Sequence, residues 1–176
     1  MARENFFSCC FTGYRPQKLP FPVDPGNREY IAFENALMDT VFELANNGCR
    51  VFYSGMAMGF DIIAAECVLT VKKTPRFREA GIELVCAIPF KEQANRYPAE
   101  WKERYGKVLE EADKAVIISN EYYRRCYYDR NRFMVDNSDC VVTWFDGSRG
   151  GTKNTVDYAT SIGRKVININ TEYRYG

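Results

Sequence analysis

Apolar residues follow two rhythms along this chain. Short unbroken runs alternate with stretches in which apolar positions recur every three or four residues. The runs predict strands at about 6–11, 50–54, 82–88, 115–118, 140–145 and 165–169. The longer periodic stretches predict helices at about 28–47, 60–72, 98–112 and 152–162, with a loop and a further helix inside 121–138. In the first helix Tyr30, Phe33, Leu37, Val41 and Leu44 share one face, and Asn47-Gly48 ends it. Pro89 stops the third strand, and Gly163 is placed to stop the last helix. The segment Gly13 to Asn27 holds Pro16, Pro20, Pro22 and Pro25 and predicts a long irregular loop. Strands apolar on both faces, separated by helices, imply a mostly parallel sheet of about six strands with helices on each side, a Rossmann-like three-layer α/β/α arrangement. No repeat or linker divides the chain, so one domain over 1–176 is expected.

On such sheets ligands bind at the carboxyl ends of the strands, near the point where strand order reverses. The loops there carry the distinctive residues. Thr12-Gly13-Tyr14-Arg15-Pro16 follows strand one; Gly13 permits close approach and Arg15 suits a phosphate, although a turn glycine beside a surface arginine has the same pattern. Ser54-Gly55-Met56-Ala57-Met58-Gly59-Phe60-Asp61 joins strand two to its helix, with small residues at 54, 55, 57 and 59 leaving room beside the backbone. Asp61 either caps that helix or binds a ribose or base. Gly150-Gly151-Thr152 opens the last helix, whose free N–H groups and dipole favour phosphate; Thr152 either caps it or holds that phosphate. Residues 121–132 contain four tyrosines and four arginines. That composition suits stacking on bases and pairing with phosphates, or equally an amphipathic helix packed on the sheet or on a second subunit.

Composition narrows the chemistry. The hydrophobic share of 46% excludes disorder, and a net charge of +1 argues against nucleic-acid binding through overall charge. No apolar stretch is long enough for a membrane span, and Met1-Ala2-Arg3-Glu4 leads straight into a strand-like run rather than a secretory leader, so a cytoplasmic protein is expected. The seven cysteines show no metal-binding spacing and are expected as buried, reduced thiols. The chain has no histidine. Triads built on histidine are therefore excluded within it, no metal site is expected, and any general base is Asp, Glu, Tyr or Cys.

Taken together, Thr12–Pro16, the Ser54–Asp61 stretch and Arg130-Asn131-Arg132-Phe133-Met134 resemble the SLOG superfamily of Rossmann-like proteins, in its small YpsA-type branch. Gly13/Arg15, Ser54 to Asp61 and Arg130 to Arg132 are similar to motifs of the bacterial DNA-processing protein A, a relative that binds single-stranded DNA. Arg130, Met134, Asn137-Ser138-Asp139 and Gly151-Thr152 are similar to motifs of the LONELY GUY phosphoribohydrolases. The catalytic glutamate of that second family falls on Thr155 here, which supplies no carboxylate.

The resemblance implies a binder of a nucleotide or nucleotide-derived molecule of the ADP-ribose or NAD type, non-catalytic and regulatory, needing no cofactor. Gly13, Ser54, Gly55, Ala57, Gly59, Gly150, Gly151 and Thr152 would form the cradle. Arg15 and Arg130 would neutralise charge beside Asn131, with Tyr14 or Tyr122 stacking on a base. Two alternatives remain: a hydrolase of N-glycosidic or phosphoester bonds using Asp61, Asp157 or Glu66, and a single-stranded DNA-binding module. The resemblance also implies a homodimer or higher homo-oligomer.

Overall fold

The computed structural model describes residues 5–170; positions 1–4, the segment from 171 to 176 and the ends of the expected 1–176 domain lie outside it. Six strands form one parallel sheet: β1 (Ser8–Thr12), β2 (Val51–Ser54), β3 (Glu83–Ile88), β4 (Lys114–Ile117), β5 (Cys140–Thr143) and β6 (Lys165–Asn168). Their spatial order is β4-β3-β2-β1-β5-β6. Between them run α1 (Arg28–Asn46), α2 (Phe60–Lys73), α3 (Ala99–Glu111), α4 (Cys126–Asp136) and α5 (Gly151–Ser161). The chain thus adopts the α/β Rossmann-like arrangement, each element within a few residues of its expected place. The proline loop is irregular apart from a three-residue 3-10 turn, Pro16–Lys18, where the proline ring suits the first position.

The strand order dictates the layers. From β1 the chain steps outward three times in one direction, through β2 and β3 to β4. Right-handed crossovers then put α1, α2 and α3 on one face. It returns past β1 to β5, which puts α4 and α5 on the other. Side-chain alternation agrees: Cys9, Phe11, Phe52, Leu84, Cys86, Ile88 and Val142 pack in the large core under α1–α3. Cys10, Ala87 and Val141 join Met134, Val135 and Ala159 in the smaller core under α4 and α5. Burial on both faces is why the inner strands read as continuous apolar runs.

Caps follow the local sequence. The Asn27 side chain accepts from the N–H groups of Glu29 and Tyr30, both at 3.0 Å, and starts α1. Gly48 and Gly163, with φ of +101° and +76°, follow the ends of α1 and α5. All seven cysteines are buried and unbridged. Burial pushes the Cys10, Cys67 and Cys86 thiols up to about 12, so these three are unreactive at neutral pH.

Two glycines fasten the loops after β1 and β2 to each other. A Cβ at Gly13 would overlap the Phe60 side chain, coming within 2.6 Å of its Cβ. Gly59 has φ of +88°, and a Cβ there would lie 2.6 Å from the Tyr14 carbonyl oxygen. That carbonyl accepts the Phe60 N–H at 3.1 Å, so α2 starts directly against the β1 loop. Gly59→Ala combines backbone strain with a backbone overlap and is expected to cost about 2–5 kcal/mol. Gly106, inside α3 with open space around it, gives the opposite sign: Gly106→Ala should stabilise by about 0.5–1 kcal/mol. Urea unfolding of the two variants beside the wild type checks both, and equal effects would refute the packing role of Gly59.

Candidate functional site

Strand order reverses between β1 and its neighbours β2 and β5, and a cleft of about 610 Å³ opens at the carboxyl ends of these strands. Thr12 to Arg15, with Gln17 and Lys18, form one wall. Ala57 and Asp61 form the floor, Tyr127, Arg130 and Asn131 of α4 the far side, and Arg149 to Thr152 the approach to α5. Arg15, Lys18, Arg130 and Arg149 bring four cations to this space, against one carboxylate, that of Asp61. The first turn of α5 adds free N–H groups and the positive end of its dipole. The near-neutral chain therefore concentrates positive charge in one concavity.

A buried ionic cluster underlies the cleft. Arg130 is 4% exposed and Asp61 is 5% exposed. They converge on the space that a side chain at residue 55 would fill: a Cβ there would lie 2.6 Å from Arg130 Cζ and 2.8 Å from Asp61 Oδ2. Arg130 Nη1 donates to the Gly55 carbonyl, and its Nε donates to Asn131 Oδ1 at 2.7 Å. Gln93 Nε2 also donates to the Gly55 carbonyl, at 2.9 Å, and the Tyr97 hydroxyl donates to the Met56 carbonyl at 3.2 Å. Met56 itself takes a φ of 58°, and Ser54 Oγ accepts its N–H while donating to the Asp61 carbonyl. Burial raises the Asp61 carboxyl to about 6, opposed by the charge of Arg130, the Ala57 N–H and Arg15. Burial likewise pulls Arg130 below the usual arginine range, with the Asp61 carboxylate opposing.

The structure thus gathers Gly13, Tyr14, Arg15, Ala57, Asp61, Arg130, Asn131, Gly150, Gly151 and Thr152 around one space. It assigns several of them other tasks than the sequence suggested. Asp61 makes no capping bond on α2; its Oδ2 accepts the Ala57 N–H at 3.4 Å, from the turn before the helix. Thr152 Oγ1 donates to the Gly13 carbonyl at 3.0 Å, tying α5 to the β1 loop. The Tyr14 ring is covered: Lys18 Nζ lies 4.1 Å above it, Trp144 meets it edge-on, and its hydroxyl donates to Asp146. It therefore offers no free face to a base.

Ser54, Gly55 and Gly59 sit behind the cleft, where their small size admits protein groups rather than a ligand. Three expected residues lie elsewhere. Glu66 is held by both guanidinium nitrogens Nε and Nη2 of Arg104, at 2.8 and 2.5 Å, between α2 and α3. Asp157 pairs with Lys153 along the exposed side of α5. Tyr122 is 63% exposed and rests edge-on against Phe90, outside the cleft lining.

Sequence reading did not single out Tyr127 from the other tyrosines of 121–132, and it passed over Lys18, Arg149, Gln93 and Tyr97. Tyr127 stands beside the cleft with Arg15 and Arg130 each 5.9 Å from its ring centre. Gln93 and Tyr97 belong to the loop after β3, whose strand-end position was a signal, but whose composition has no glycine or arginine motif. Thr155, at the place of a glutamate in the phosphoribohydrolases, donates to the Gly151 carbonyl and accepts from Asn131 Nδ2, each at 2.9 Å.

Residues 9–171 match the YspA SLOG family. The uncharacterized SPbeta prophage-derived protein YoqJ of Bacillus subtilis is 29% identical over 164 residues, covering 85% of this chain and 94% of that protein. Among solved structures, DNA processing protein A of Streptococcus pneumoniae superposes with a TM-score of 0.60 at 18% identity, over 92% of this chain and 49% of that one. DNA processing protein A of Helicobacter pylori, solved for its single-stranded DNA binding mode, gives 0.59 at 21% identity, over 91% and 63%. At these identities the two structures speak to the fold alone.

The Asp61 carboxyl should titrate near 6 instead of the ordinary 3.8. Between those values the folded protein keeps a proton that the unfolded chain has released. This group's contribution to stability is therefore full below about 3.8 and lost as pH rises through about 6. Carboxyl carbon NMR across pH 3–8 reads the midpoint. Urea unfolding over the same range should show a decline that Asp61→Asn removes. A midpoint near 4 would show that the carboxyl is hydrated.

Proposed function

The chain belongs to the YspA SLOG family, and from that premise we propose that its cleft binds a nucleotide or nucleotide-derived small molecule of the ADP-ribose or NAD type. The protein acts as a sensor or regulatory protein rather than as an enzyme. One observation carries this reading: Arg15, Lys18, Arg130 and Arg149 converge with the start of α5 on a cleft holding a single carboxylate. Phosphate oxygens satisfy such an array through charge-assisted bonds. A volume of about 610 Å³ falls within the range of small-molecule and cofactor sites. The absence of a glutamate at 155 and the removal of Glu66 and Asp157 from the cleft favour binding over hydrolysis. Among the described residues no helix is long and apolar enough to cross a membrane.

A second reading, single-stranded DNA binding, draws on the exposed Tyr122, Tyr123 and Tyr128 beside the arginines of 124–132. The two differ in their salt response. DNA binding should lose affinity by about 0.7 in log units per phosphate contact for each log unit of salt.

ADP-ribose at a hundred times its dissociation constant should raise folding stability by about 2.7 kcal/mol. Arg15→Ala removes an exposed cleft cation and is expected to weaken that binding by about 10- to 100-fold. Glu66→Gln, on the far side of α2, should leave affinity unchanged. Calorimetric titration with ADP-ribose, NAD and a short single strand separates the outcomes. Tight, steeply salt-dependent DNA binding without any small-molecule response would replace the first reading with the second.

A further inference from the structure

A second, smaller cavity of about 230 Å³ lies between α4 and α5, alongside the cleft. Tyr127, Asn131 and Gly151 line both spaces, so the two adjoin. Its character differs from that of the cleft. Tyr128 and Tyr158 join Tyr127 in its wall, and no carboxylate lines it. The Arg132 guanidinium lies 4.0 Å from the Tyr158 ring centre and donates to the hydroxyls of both Tyr128 and Tyr158, each at 2.9 Å. The Tyr158 hydroxyl in turn donates to Asp136 at 2.5 Å. This wall is fixed before any ligand arrives. Asn154 and Asn131 add amide groups, and the Asn154 side chain makes no hydrogen bond among the described residues.

We propose that this cavity receives the heteroaromatic base of the ligand whose phosphates occupy the cleft; the inference rests on the reading above. The volume decides the class of group. Whole drug-sized ligands occupy sites of about 300–1,000 Å³, so a space of about 230 Å³ holds one ring system but not a nucleotide. Tyrosine and guanidinium planes stack on such a ring, as they do on bases in single-stranded nucleic-acid sites. Amides read its edge. Gly151 sits at the junction without a side chain, and a Cβ there would meet nothing within 4 Å, so the link from base to phosphate passes over it unobstructed. Thr155, in the cavity wall, has its hydroxyl engaged with Asn131 and the Gly151 carbonyl. The base is therefore held beside a wall that carries no carboxyl group to protonate it as a leaving group.

The test compares two probes, ADP-ribose and ribose 5-phosphate, which lacks a base. Each is titrated calorimetrically into the wild type, Asn154→Trp and Asn154→Ala. Asn154 is exposed on α5 and lines the small cavity but not the cleft. The indole of Asn154→Trp should fill the cavity and weaken ADP-ribose binding at least tenfold relative to Asn154→Ala, with ribose 5-phosphate affinity equal in all three. Equal ADP-ribose affinity in the two variants would overturn the base assignment while leaving the phosphate cleft standing. Equal loss of both probes in Asn154→Trp would also overturn it, since the cleft itself would then be disturbed. Failure of both probes to bind the wild type would sink the cleft reading and this inference with it.

Discussion

A guanidinium taken out of water is costly unless its donors are met and its charge is opposed. Arg130 is such a group, and the architecture converges on it. Its Nη1 meets the Gly55 carbonyl after β2, its Nε meets Asn131 on α4, and Asp61 at the start of α2 opposes its charge in the space left beside Gly55. Gln93, from the loop after β3, shares the same carbonyl. One buried cation thereby sets the positions of segments that follow three different strands. It can do so only because residue 55 has no side chain, which leaves the backbone open to both charged partners.

The same economy of space governs the cleft above. Gly13 lets Phe60 approach β1, and Gly59 lets the Tyr14 carbonyl reach the start of α2. Thr152 then fastens α5 to the Gly13 carbonyl. The loops after β1, β2 and β5 are thus bonded to one another before any ligand is considered. The remaining cations, Arg15, Lys18 and Arg149, stay exposed around a prearranged concavity. Preorganisation of this kind reduces the ordering cost that binding otherwise incurs. It also explains how a protein of net charge +1 presents a strongly cationic site: the opposing carboxylates are engaged elsewhere, Glu66 with Arg104, Asp157 with Lys153 and Asp113 with Lys72.

The elements were legible because burial leaves a periodic trace. Inner strands covered on both faces read as unbroken apolar runs, and α1 shows its buried face in Tyr30, Phe33, Leu37, Val41 and Leu44. The switch point was legible in outline too, since glycine and arginine gather in the loops after β1, β2 and β5. What each residue does there was less accessible. Sequence shows that position 55 is small, but not whether the vacated space faces a ligand or an arginine seventy-five positions away. It shows Tyr14 as an aromatic near a phosphate motif, whereas packing has already covered the ring with Lys18 and Trp144.

By itself, then, the sequence determined the α/β class, the sites where strands and helices begin and end, and the strand ends at which chemistry gathers. These depend on local periodicity and on backbone preferences near glycine and proline. Only the tertiary structure decided which small residues line a cavity and which admit a neighbour. It alone separated Asp61, buried beside Arg130, from Glu66 and Asp157, which are neutralised on other surfaces. The reason is physical: burial and charge pairing depend on distances between segments remote in the chain, and local periodicity carries no record of those distances.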